Sequence, residues 1–201
     1  MVTRPEEFAV LPYQIDLVGF RAEDGFPLDG LLYSPKVGAT TAVILVHGKT
    51  CNFLGGPSRF LPLSLAQAGY ASFAVNMRVH SLGYSRGDVP FENFDNFIFI
   101  MAGGAWEKLE DGHKDLGGAV AYLRRLGFEK IVLAGHSSGG FYAGDYAGRE
   151  SRAALWKEKF RDVIKTPRKE LVFIRNAEHM YLGHEDEVAD AVISFLKKYT
   201  A

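Results

Sequence analysis

The residues that could do chemistry lie in the stretch 130–140, KIVLAGHSSGG. Gly135-His136-Ser137-Ser138-Gly139 is a G-x-S-x-G pattern. A serine hydroxyl is a weak nucleophile until a base takes its proton. The charge that then develops on a substrate carbonyl oxygen needs positioned N–H donors, each worth about 3 kcal/mol in the transition state. The pattern therefore carries meaning only where strand, sharp turn and helix hold the hydroxyl above a sheet. Residues 131–134 form an apolar run that reads as a buried strand, and the small residues of 139–148 read as a helix. Glycines flank the serine because a Cβ there would strike a neighbouring element. The bland alternative is a Gly/Ser turn with no chemistry. The strand before and the helix after favour Ser137 as a nucleophile.

The elements that must position it follow from periodicity. Residues 14–21 alternate apolar and polar, 22–25 make a turn at Asp24-Gly25, and 28–33 read as the antiparallel partner. Residues 42–46 are continuously apolar, as in a strand buried on both faces, and end in His47-Gly48. A helix within 59–68 has Pro62 in its first turn and Gly69 as its stop. Residues 70–75 read as a strand, and 111–126 as an amphipathic helix stopped by Gly127. Beyond the serine, 150–165 read as a helix, 171–174 as a last strand, and 184–199 as a final helix whose early acids and late lysines match its dipole. A hairpin followed by alternating strands and helices predicts a mostly parallel sheet between helical layers. Ligands then bind beyond the carboxyl ends of the strands. His47-Gly48, Asn76-Met77-Arg78 and Ser137 all fall at such ends.

Composition narrows the function classes. The 201 residues suffice for one domain, 1–201, with a sizeable core. A formal charge of −1 suggests no nucleic-acid or membrane partner. The single cysteine, Cys51, excludes an internal disulfide and points to a reducing, cytoplasmic setting. The first residues, MVTRPEEF, lack the apolar core of a signal peptide, and no apolar window is long enough for a membrane span.

Other reactive types have quieter readings. His136 is expected to pack, His47 to shape its loop by hydrogen bonding, and His80 and His184 to be structural or solvated. No histidine pair has metal-ligand spacing, so neither metal nor cofactor is expected. Cys51 reads as a small hydrophobe. The loop 83–87 lacks the lysine-serine pair of a phosphate loop. The connection 77–110 is long, and its aromatic part, 91–106, is either a pocket wall or lid over Ser137 or ordinary packing.

The segments VILVHGKTCNF, NMRVHSLGYS, VLAGHSSGG and NAEHMYLGHEDEVADAVISFL together resemble the α/β-hydrolase superfamily across most of the chain. The resemblance implies a three-layer α/β/α fold and a Ser-acid-His triad on loops above the sheet. It places the base at His179, between the last strand and the last helix. It assigns the oxyanion donors to the backbone N–H of Ser138 and of Lys49. The family order also puts the acid between serine and histidine. There this chain is shorter than usual members, implying a reduced C-terminal half. Asp145, Glu150, Glu158 and Asp162 stand in that interval, and the turn 146–150 resembles the one carrying the family's acid at Glu150.

The expected activity is hydrolysis of a small-molecule carboxylic ester, or thioester, through an acyl-enzyme on Ser137, with His179 as base and Glu150 orienting it. Two alternatives stand beside it: a catalytically silent binding protein on the same scaffold, and a hydrolase of C–C or amide bonds.

Overall fold

The apolar run Thr41–Val46, TAVILV, is buried along its whole length. A strand apolar on both faces needs cover on both faces. A computed structural model of the chain describes residues 13–87, 99–150, 172 and 174–200, and shows that cover. In chain order the main strands are β1 (Tyr13–Arg21), β2 (Pro27–Pro35), β3 (Thr41–Val46), β4 (Ala71–Asn76), β5 (Tyr84–Gly87), β6 (Phe99–Ala102) and β7 (Lys130–Gly135). The helices are α1 (Leu61–Gln67), α2 (Leu109–Arg125), α3 (Ser138–Glu150) and α4 (Glu185–Thr200).

Successive residues of β3 point to opposite faces, as strand geometry requires. Ala42, Ile44 and Val46 enter one core with Phe73, Leu116 and Leu123 and with Tyr142 and Ala143 of α3. Val43 and Leu45 enter the other with Leu61 and Leu65 of α1 and Val188 and Leu196 of α4. The result is three layers: α2 and α3, the sheet, then α1 and α4. The sheet order is β1-β2-β4-β3-β7. β3 runs parallel to both β4 and β7, whereas β1–β2 and β2–β4 are antiparallel. The core of the sheet is thus parallel, with the expected N-terminal hairpin at one side. That hairpin turns where Gly25, at φ +84°, donates its N–H to Ala22 O at 2.9 Å.

β5 and β6 form a separate antiparallel ribbon within the long connection. Residues 88–98, which include much of the aromatic stretch, lie outside the described residues. So does most of the predicted helix 150–165. Of the predicted strand 171–174, Val172 and Ile174 are described and neither is in a strand. Ile174 packs on the α1–α4 core.

Two expectations need correction. β7 is half-buried rather than buried, because among the described residues no strand pairs along its outer edge. α3 runs through Glu150 instead of ending near Gly148, so Glu150 is helical and not part of a turn after a helix that stops at Gly148.

Candidate active site

β7 runs straight into the G-x-S-x-G turn. Ser137 sits there at φ +56°, a left-handed conformation that costs an L-residue about 1–2 kcal/mol. Several bonds hold it. His136 N–H donates to Val46 O at 3.0 Å, Gly139 N–H to His136 O at 2.8 Å, and Gly140 N–H to Ser137 O at 3.0 Å. The glycine after the serine is required by contact. A Cβ on Gly139 would lie 2.2 Å from Val46 O and 2.5 Å from His47 O, both backbone atoms. The turn therefore sits directly on the end of β3, with the Ser137 side chain exposed. Strain of this sort, over-determined by its surroundings, marks functional positions.

The same seating brings the His47-Gly48 loop to the serine. A Cβ on Gly48 would lie 3.0 Å from Ser137 Cβ and 3.5 Å from Oγ. Buried His47 shapes this loop through both ring nitrogens. Met77 N–H donates to Nε2 at 3.1 Å, so Nε2 carries a lone pair. Nδ1 then carries the hydrogen and donates to Gly48 O at 2.7 Å. Burial lowers the His47 pKa to about 4, which keeps the ring neutral. Further along the loop, Phe53 N–H donates to Asn76 Oδ1 at 2.9 Å, and Asn76 Nδ2 donates to Asp29 at 2.7 Å. The Lys49 ammonium pairs with Glu107 at 2.6 Å, and Tyr142 O–H donates to the same carboxylate. Ser138 opens α3, where the first N–H groups have no partner within the helix and the dipole favours negative charge.

His179 lies on the loop between Ile174 and α4. That loop is tied at many points. Glu178 accepts from Met180 N–H at 2.8 Å and Leu182 N–H at 2.6 Å. Arg59, from the turn before α1, pairs with Glu185 at 2.7 Å. His136 Nε2 bonds His179 O at 2.7 Å, and the two imidazole rings lie 4.6 Å apart. The structure thus brings the His179 ring onto the elbow, against the neighbour of Ser137. Among the described residues no hydrogen bond joins that ring to Ser137 or to a carboxylate. The Glu150 side chain lies outside the described residues.

Of the three strand ends expected to converge, two meet: His47-Gly48 and Ser137. Asn76 and Met77 brace the loop from below. Arg78 turns away to buried Asp115 and exposed Asp24. Its N–H and Nε donate to Asp115 at 2.8 and 2.7 Å, and its remaining nitrogens to Asp24. The bond from Arg78 holds Asp24 at a pKa of about 2. Burial raises Asp115 to about 6 against the pull of Arg78, which keeps its own charge. Phe26, Arg78, Trp106, Glu107 and Asp111 help line a cavity of about 440 Å³ on this side. His80 stacks on Tyr84 at 4.1 Å, and His184 caps toward Glu187 at 2.7 Å. Sequence reading missed the Lys49–Glu107–Tyr142 link and the bond from His136. Neither a carbonyl acceptor nor a partner carboxylate far along the chain has a sequence signature.

This geometry can be set beside known proteins. A dienelactone hydrolase from Anabaena variabilis superposes with a TM-score of 0.69 at 19% identity, covering 94% of this chain and 99% of that one. The chain has the α/β-hydrolase fold. A Butyrivibrio proteoclasticus protein solved with ferulic acid gives 0.51 at 19% identity, over 88% of this chain and 73% of that one. An esterase from Pyrococcus furiosus gives 0.50 at 22% identity over 68% of this chain, which spans only 46% of the esterase. No protein-family model and no curated protein matches the chain. No helix among the described residues is long and apolar enough to cross a membrane.

Proposed function

We propose that the chain is a serine hydrolase of carboxylic esters, with thioesters a close variant. The observation that carries this reading is Ser137 at φ +56°, between the Gly48 loop and the loop that bears His179. Ser137 Oγ attacks the acyl carbon while His179 takes its proton. The carbonyl π electrons move to oxygen, where the N–H groups of Lys49 and Ser138 receive the charge. Collapse breaks the bond to the leaving oxygen or sulfur, and His179 returns the proton to it. Water then repeats the sequence on the acyl-enzyme, releasing the acid and restoring Ser137. Glu150 is the carboxylate we assign to orient His179. The reaction uses no cofactor, and its substrate is a small molecule.

Fluorophosphonate labelling tests the reading. The wild-type protein should take up one label, and Ser137→Ala none. A folded wild-type protein that stays unlabelled would favour the silent binding scaffold. Glu150→Gln should lower turnover on the order of 10⁴-fold if it holds the histidine tautomer, and leave it unchanged if another group does.

A further inference from the structure

We infer that His136 is a positioning residue, which tethers the His179 loop to the nucleophile turn. The inference rests on the hydrolase reading above and concerns the same site. Three contacts carry it. His136 Nε2 lies 2.7 Å from His179 O, and a carbonyl oxygen only accepts, so Nε2 carries the hydrogen and donates. The His136 ring lies 4.6 Å from the His179 ring at an interplanar angle of 41°. It also meets the edge of Tyr181 at 6.0 Å. Gly56 leaves room for the ring: a Cβ there would stand 3.2 Å from His136 Nδ1.

The consequence is geometric. His136 precedes Ser137 in a turn whose backbone is fixed by bonds to β3 and within the elbow. Any displacement of the turn is therefore passed, through one side chain, to the main chain of His179. The loop it holds contains two non-glycine residues in left-handed conformations, Asn176 at φ +60° and Tyr181 at φ +58°. Such a loop keeps its shape only when external contacts over-determine it. The x before serine in G-x-S-x-G is thus a further functional position in this chain, acting through His179 rather than on substrate.

The test compares three variants. His136→Gln keeps an amide donor at the position of Nε2. His136→Asn carries a donor that stops short, near Nδ1, and His136→Phe keeps a ring without a donor. Fluorophosphonate labelling should slow roughly tenfold to 100-fold in the Phe and Asn variants, the scale of misplacing a reacting group by about 1 Å. The Gln variant should label within roughly threefold of wild type, a rescue that loss of packing alone would not give. Equal rates in all four proteins, or a Gln variant as slow as Phe, would overturn the proposal. Amide hydrogen exchange over residues 175–183 gives an independent reading. It should quicken in the Phe and Asn variants and return in Gln, and unchanged exchange throughout would refute the tether. If wild type itself fails to label, the hydrolase reading is what fails, and exchange alone decides the tether. If the Phe variant does not fold, the Asn and Gln pair decides it.

Discussion

His47 shows how a buried residue can shape the loop beside Ser137 through its ring nitrogens alone. Its neutral ring links Met77 to Gly48, and burial holds its pKa near 4, below the ordinary 6.5. Between those values the unfolded chain binds the proton and the folded chain does not. Stability from this residue is therefore complete above pH 6.5 and is lost as pH falls toward 4, by about 3 kcal/mol. Denaturant midpoints measured from pH 7 to 4 should fall accordingly. In His47→Gln the protein should start less stable at pH 7 but lose less on acidification; an unchanged slope would place the sensitivity elsewhere. Arg78 is the second residue with a large predicted effect. Arg78→Met leaves Asp115 buried without its cation, and such losses cost about 3–5 kcal/mol. An equilibrium unfolding curve within 1 kcal/mol of wild type, roughly the worth of an exposed pair, would contradict the buried network.

At the scale of elements, α2 pairs its apolar stripe with glycines that let it approach the hairpin. Glycine costs a helix about 1 kcal/mol relative to alanine, so each must be excused by contact. At Gly118 a Cβ would lie 2.2 Å from Arg21 O, a backbone atom of the hairpin that cannot step aside. At Gly117 it would meet the carboxylate end of exposed Glu23, which can. Gly118→Ala should therefore destabilise by about 1–3 kcal/mol, while Gly117→Ala should be neutral or gain up to about 1 kcal/mol. Thermal unfolding of the pair measures this; equal effects would mean that helix propensity, not approach to the hairpin, governs both sites. The nucleophile turn follows the same logic. Its glycine is spent on contact with β3, and its strain is carried by Ser137.

For the molecule as a whole, legibility followed locality. Residues 42–46, AVILV, announced a strand because burial on both faces leaves no polar position to interrupt the run, and 70–75, YASFAV, did so despite buried Ser72. The elbow was legible because strain and close approach demand particular residues at fixed offsets. The sheet order was not, since nothing in residues 71–76 says that they lie between β2 and β3; the order is a tertiary choice. The half-burial of β7 was also hidden, because an apolar run of four residues looks the same whether its strand is fully or partly covered. His136 looked like packing since its acceptor is a main-chain oxygen far along the chain. The pairing of Arg78 with Asp115 was silent because the partner carboxylate stands 37 residues along the chain. The role of Glu150 rests on the resemblance of 146–150 to the family's acid-bearing turn, the part of the triad least bound to local structure.

The central claim is that Ser137 Oγ is the atom on which an acyl group is carried. Acid quenching of the protein within its first turnovers on p-nitrophenyl acetate, followed by mass analysis of the peptides, tests it directly. The predicted result is one acetyl group on Ser137, absent from Ser137→Ala and greatly reduced in His179→Gln. Acetyl on another side chain, or turnover that survives the loss of the Ser137 hydroxyl, would contradict the account.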